Sequence, residues 1–157
     1  MSLLKVLEGS KPQPSKPSMV AVYRRGDTVY MHPQVKTTDG VFIFAEPVVQ
    51  LDKDDTQVPV HLIELLSVRR TIVAHPTSWR GLTDPLLKAA KVRSFNAFAA
   101  STKLVEIERD DDGISLLPTR NGGPKEGFVH LNEKRRHSRP VVEDVRAGLE
   151  AAFADCE

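Results

Sequence analysis

From residue 19 onward, apolar and polar residues follow the two-residue period of β-strands in MVAVYRR and DTVYMH, and the mostly apolar stretch GVFIFAEPVVQL comes next. Gly26-Asp27 and Asp39-Gly40 separate these stretches and suit tight hairpin turns. We therefore expect three antiparallel strands in a meander. Because the third is apolar on both sides, we expect both of its faces to be covered, with Pro47 marking a bulge or an edge.

After these strands the apolar residues recur at helical intervals. The stretch DDTQVPVHLIELLSVRR predicts a helix, because its acids and its final Arg69 and Arg70 complement the two ends of the helix dipole. A second helix is predicted at DPLLKAAKV, with Asp84 as its cap and Pro85 in its first turn. A short third helix is predicted at SFNAFAAS, capped by Ser94.

The last third of the chain returns to strands and ends in a helix. TKLVEIERD and DDGISLLPT alternate around a turn at Asp112-Gly113, FVHLNEKRR follows as a further strand, and PVVEDVRAGLEAAFADCE has helical spacing. This order predicts an α+β fold, a largely antiparallel sheet built from hairpins with about three or four helices packed on it. We expect one domain over 19–157, preceded by an N-terminal arm or linker, 1–18, that is rich in proline.

Composition places the chain among ordinary folded proteins. Hydrophobic residues make up 40% of its 157 residues and charged residues 27%. Since 22 Lys and Arg balance 21 Asp and Glu, no global charge attracts the chain to phosphate or to anionic lipid. One cysteine, Cys156, suits a reducing compartment, and no apolar run is long enough for a membrane span. We expect a cytoplasmic protein that is not bound to a membrane.

The sequence shows no motif that predicts catalysis, a metal or a cofactor. Its five histidines are far apart and lack the spacing of metal ligands. They are His32, His61, His75, His130 and His137. His75 with Ser78 would suit a small hydrolase, but a nucleophile elbow is missing. We interpret AHPTSWRG as the start of a short turn in which Thr77 or Ser78 is the cap and Trp79 is a large apolar anchor, and we do not expect an enzyme.

Charged clusters remain as candidate recognition features. The basic run EKRRHSR, 133–139, could contact phosphates and leaves a small nucleic-acid-binding domain as an alternative, although the lack of interleaved aromatic residues favours a solvated sheet edge. Two acidic clusters can serve turns and a helix N-terminus, or can cover a basic cleft on a partner and steer its association. The candidate partner-binding residues are Asp52, Asp54, Asp55, Glu106, Glu108, Asp110, Asp111 and Asp112.

Four stretches in combination give the chain a family resemblance: HPTSWRGLTDPLLKAAKVRSFNAF, KLVEIERDDDGISLLPT, GGPKEGFVHL and a closing helix that ends in CE. Over roughly 60–157, the chain resembles immunity proteins of bacterial contact-dependent growth inhibition systems. The resemblance implies a cytoplasmic protein that binds the toxic C-terminal domain of a cognate effector, often a nuclease. Neutralisation would be stoichiometric and non-catalytic. The resemblance identifies no contact residues, so the two acidic clusters stay the candidate toxin-binding residues.

Overall fold

The strands predicted from the alternating pattern join into one antiparallel sheet. The computed structural model describes residues 17–157, so the predicted arm, 1–18, lies almost entirely outside the described residues. Within them the sheet has eight strands. Their bounds are β1 Ser18–Arg25, β2 Thr28–Lys36, β3 Phe42–Phe44, β4 Val49–Asp52, β5 Thr102–Asp110, β6 Gly113–Asn121, β7 Phe128–His130 and β8 Arg136–Ser138.

Four long strands form the centre of the sheet, in the order β2, β1, β5, β6, and each edge consists of two short strands. On one edge, β4 pairs with the first half of β2 and β3 with its last half. On the other edge, β8 pairs with the first half of β6 and β7 with its last half. The predicted third strand is thus two strands, interrupted around Pro47. The expectation that it would be covered on both faces is wrong, because β3 is only half-buried.

Five α-helices occur in the described residues, three between β4 and β5, one between β6 and β7 and one after β8. Their bounds are α1 Val58–Ser67, α2 Asp84–Ala90, α3 Phe95–Ala99, α4 Gly123–Glu126 and α5 Val142–Asp155. Helix α1 is shorter than predicted, since it ends before Arg69 and has no acid in its first turn. The N-cap of α2 is Thr83 rather than Asp84. Ser94 caps α3 as predicted, because its Oγ accepts a hydrogen bond of 3.1 Å from the backbone N–H of Ala97.

One face of the sheet, the α1/α5 face, carries a wholly apolar core. Strand alternation turns residues such as Val22 and Ile107 to this face, where they pack against Leu62 of α1 and Leu149 and Phe153 of α5. Phe153 is 1% exposed. This packing buries the apolar stripe of α5 that the sequence predicted.

The opposite face, the α2/α3 face, is aromatic and partly polar. Tyr23 and Tyr30 pack edge-on against Phe98 of α3, with ring centroids 5.0 and 5.5 Å apart. His32 and Thr119 are buried on the same face. With helices on both faces of an antiparallel sheet, the predicted α+β fold is confirmed. In the described part of the chain, no helix is both long and apolar enough to cross a membrane.

Candidate partner-binding surfaces

The first acidic cluster builds the turn between β4 and α1. Asp52 Oδ1 accepts a hydrogen bond of 2.9 Å from the backbone N–H of Asp54, and Asp55 Oδ1 accepts one of 2.8 Å from Gln57. These side-chain-to-backbone contacts are those of Asx turns. The carboxylates of Asp52 and Asp55 therefore shape the turn. Asp52 and Asp54 are exposed to solvent.

The second acidic cluster runs along β5 and into the β5–β6 turn. Glu106 and Glu108 are two residues apart on the strand, so both lie on the α2/α3 face. In the turn, Asp110 Oδ1 accepts a hydrogen bond of 2.8 Å from the backbone N–H of Asp112. The side chain of Glu106 is only 19% exposed, and its Oε2 lies 3.4 Å from His130 Nε2. Glu106 is thus an interior partner of His130, whereas the turn carboxylates reach solvent.

The structure does not bring the two acidic clusters together. Asp52 lies opposite Thr28, next to the β1–β2 turn, and this end of the sheet includes Thr102 at the start of β5. Asp110 is at the other end of β5, roughly 26 Å away at about 3.3 Å per residue. One acidic patch made of both clusters is therefore not present, and each cluster has to be tested separately as a binding surface.

The basic run 133–139 is largely neutralised by the C-terminal region. Lys134 Nζ lies 2.7 Å from Glu157 Oε2, Arg136 Nε lies 2.9 Å from Asp155 Oδ2, and Arg139 Nε lies 2.6 Å from Asp144 Oδ2. These pairs attach the β8 edge to α5 and the residues after it. Three of the four cations are thus paired with carboxylates, which weakens the case for a phosphate-binding surface here.

Among the described residues, His75 and Ser78, the residues suggested for a hydrolase, do not contact each other through a hydrogen bond and have different partners. His75 Nδ1 is 2.9 Å from Thr37 Oγ1 and 3.6 Å from Asp39 Oδ2, so its ring faces the β2–β3 turn. Ser78 Oγ accepts a hydrogen bond of 3.2 Å from the backbone N–H of Arg80. In the described part of the chain no hydrogen bond joins Ser78 to His75, which a nucleophile and its base would need.

The prediction that Trp79 is a large apolar anchor of a short turn is wrong, because the residue is 55% exposed. Trp79 lies in the segment between α1 and α2, which we call loop 68–83. The sequence analysis did not predict this long loop, since it extended a helix as far as Arg70 and interpreted AHPTSWRG as the start of a short turn. The signal that could have revealed it is a run of 16 residues without a helical apolar period.

Titratable groups gather beneath the α2/α3 face. Burial lowers the pKa of His32 to about 4. Burial, with the nearby Glu106 carboxylate, raises the pKa of Tyr23. A hydrogen bond to Glu106 raises the pKa of the half-exposed His130. No group of three or more potential metal ligands occurs among residues 17–157.

A cleft of about 220 Å³ lies between the β4–α1 turn, α1 and α5. Its lining includes Arg24 and Arg146 but also Asp55 and Glu150. Arg24 Nη2 is 2.8 Å from Glu150 Oε1, and the guanidinium sits 4.3 Å from the centre of the Phe153 ring. Both signs of charge line the cleft, so it is not built for a ligand of one charge.

Comparisons with known proteins identify a shared fold. No protein-family model matches the chain, and no curated protein matches its sequence. A solved protein of unknown function from Neisseria meningitidis is similar with a TM-score of 0.70 and 14% identity, covering 94% of this chain and 99% of that one. A chain of the CdiA-CT/CdiI toxin and immunity complex from Yersinia pseudotuberculosis is similar with a TM-score of 0.66 and 17% identity. The match covers 92% of this chain and 100% of that one. The protein therefore has an α+β fold that also occurs in a toxin and immunity complex.

Proposed function

We propose that this chain is an immunity protein of a contact-dependent growth inhibition system. It binds the toxic C-terminal domain of a cognate effector, called here the toxic domain, and neutralises it in the cytoplasm by forming a stoichiometric complex. The observation that carries the proposal is the fold shared with a chain of a solved toxin and immunity complex over 92% of this chain.

The contacts of the alternative sites support a binding role over the other candidate functions. His75 is occupied by the β2–β3 turn, and most cations of the basic run are paired with carboxylates. A protein that inhibits by complex formation needs a shaped surface and no reactive group. These features fit an inhibitor better than a hydrolase or a nucleic-acid-binding domain.

A test of this proposal uses the cognate effector, which we expect a neighbouring reading frame to encode. Its C-terminal domain is expressed in a sensitive host with and without this chain, and the two proteins are then purified together. We expect restored growth and a complex of defined stoichiometry in light scattering. An unrelated effector's toxic domain is the control and should not be neutralised. Continued killing without a complex would show that the proposed function is wrong.

We further propose that the toxic domain is a nuclease and that the β5–β6 turn carboxylates steer its association. Carboxylates near a basic substrate groove increase the association rate, and salt screens this effect. In a triple variant, Asp110, Asp111 and Asp112 become Asn, which keeps the Oδ1 acceptor that shapes the turn.

For this triple variant, we expect an association rate several-fold lower at low salt and nearly unchanged at high salt. Stopped-flow fluorescence measures both rates. The matched control converts Asp52, Asp54 and Asp55 to Asn at the other end of the sheet. Equal effects of the two triple variants would mean that total charge, and not the β5–β6 turn, governs association.

A further inference from the structure

Loop 68–83 concentrates the exposed apolar side chains of the molecule. The described residues include six large hydrophobic side chains that are exposed, and four of them lie on this loop. They are Val68, Ile72, Val73 and Trp79. A fifth, Val41, lies alongside, because its carbonyl accepts a hydrogen bond from Thr37, the residue that bridges to Val73. A grouping of this kind on a soluble protein is typical of an interaction surface.

Hydrogen bonds to the β2–β3 turn hold the loop in one arrangement. The backbone N–H of Val73 donates to the Lys36 carbonyl at 3.0 Å, and the Thr38 N–H donates to the Val73 carbonyl at 2.8 Å. The Trp79 ring then packs edge-on against His75, with centroids 5.4 Å apart. Long loops in compact domains are uncommon and usually functional, and an ordered one loses little entropy on binding.

The loop is also strongly basic. It carries Arg69, Arg70 and Arg80 and no carboxylate. Arg70 is poorly compensated, because its Nη1 is 3.5 Å from the Glu46 carbonyl and its Nε is buried with no hydrogen-bond partner among the described residues. A partner that covers this loop therefore needs carboxylates around an apolar centre.

We infer that loop 68–83, together with Val41, is the main docking surface for the toxic domain, with Trp79 as the anchor in an apolar pocket rimmed by carboxylates. The inference rests on the proposed function and identifies the surface that performs it. A protein partner fits better than nucleic acid, because four of the five exposed side chains are aliphatic and offer no ring for base stacking. Exposed tryptophan at an interface centre is a typical source of binding energy.

The β5–β6 turn lies at the same end of the sheet as this loop. Gln34 of β2 and Glu108 of β5 both lie opposite Met19 of β1, and Lys36, whose carbonyl binds the loop, and Asp110 are each two residues further along their strands towards this end. Two strand spacings give a lateral distance of roughly 10 Å. One interface of standard size can cover both features, so steering by the turn and anchoring by the loop can act on a single partner.

The test measures the affinity of the full chain for the toxic domain by calorimetry. We expect Trp79→Ala to weaken binding roughly 30-fold or more. The double charge reversal of Arg69 and Arg80 to Glu should weaken it at least several-fold. The matched control is Arg25→Glu, which reverses a cation at the opposite end of the sheet, opposite Thr28 and Thr102, and should leave affinity unchanged. Circular dichroism and the Tm show that each variant is folded.

The outcomes separate this inference from the proposed function. If the unaltered chain does not bind the toxic domain, the proposed function fails and the docking surface with it. If the unaltered chain binds and both loop variants bind equally well, only the inference is overturned. Two other results that depend on Trp79 would also overturn the inference. One is retention of a single-stranded oligonucleotide at low salt, and the other is dimerisation of this chain through the loop.

Discussion

The two faces of the sheet are built from different chemistry. All side chains in the core of the α1/α5 face are apolar, including Val105, Leu149 and Phe153. The α2/α3 face combines aromatic rings with the buried His32 and with Glu106, which faces His130. Apolar burial is insensitive to protonation, whereas a buried histidine must stay neutral. We therefore expect the first face to supply most of the stability and the second to make it depend on pH.

The largest effect should come from Phe153→Ala in the α1/α5 core. The substitution removes a fully buried ring and its contact with the Arg24 guanidinium, so we expect a loss of about 3–5 kcal/mol in the free energy of unfolding. Urea denaturation measures this loss. The comparison variant is Phe95→Ala on the α2/α3 face, where the ring is half-buried and the loss should be smaller. Equal losses would contradict the proposed difference between the faces.

The second effect is a loss of stability in acid that depends on His32. Its pKa is about 4 in the folded chain against 6.5 in the unfolded chain, so the folded state favours the neutral ring. This contribution is complete above pH 6.5 and is lost as the pH falls towards 4, by up to roughly 3 kcal/mol. Unfolding free energies from pH 7 to pH 4 should fall less steeply in His32→Gln than in the unaltered chain. Parallel curves would show that His32 is not the group responsible.

The smallest effect concerns His130 and Glu106. Their hydrogen bond raises the pKa of His130, so the pair stabilises the fold at low pH and loses this contribution as the pH rises through that pKa. The contribution is small because the His130 side chain is 45% exposed. An NMR titration should place the His130 midpoint above 6.5, and Glu106→Gln should lower it. A midpoint that does not move in this variant would assign the shift to other groups.

The fold class could be predicted from the sequence because it depends on local periodicity. Alternation defined β1, β2, β5 and β6, and the stripe of Val145, Leu149 and Phe153 defined α5. These patterns persist because each strand or helix buries one side wherever it packs. Boundaries and edge strands were predicted less well, since α1 ends early and β3 and β4 are separate strands.

The candidate surfaces depended on contacts between distant parts of the chain. The sequence by itself determined an α+β sheet with helices and two acidic clusters, because period and charge are local properties. Only the tertiary structure decided that Glu106 faces His130, that the clusters lie at opposite ends of the sheet, and that Trp79 is exposed. Strand register sets the contact of Glu106 with His130 and the separation of the two acidic clusters. The loop that carries Trp79 is held by hydrogen bonds between Val73 and the β2–β3 turn, which are more than 30 residues apart in sequence.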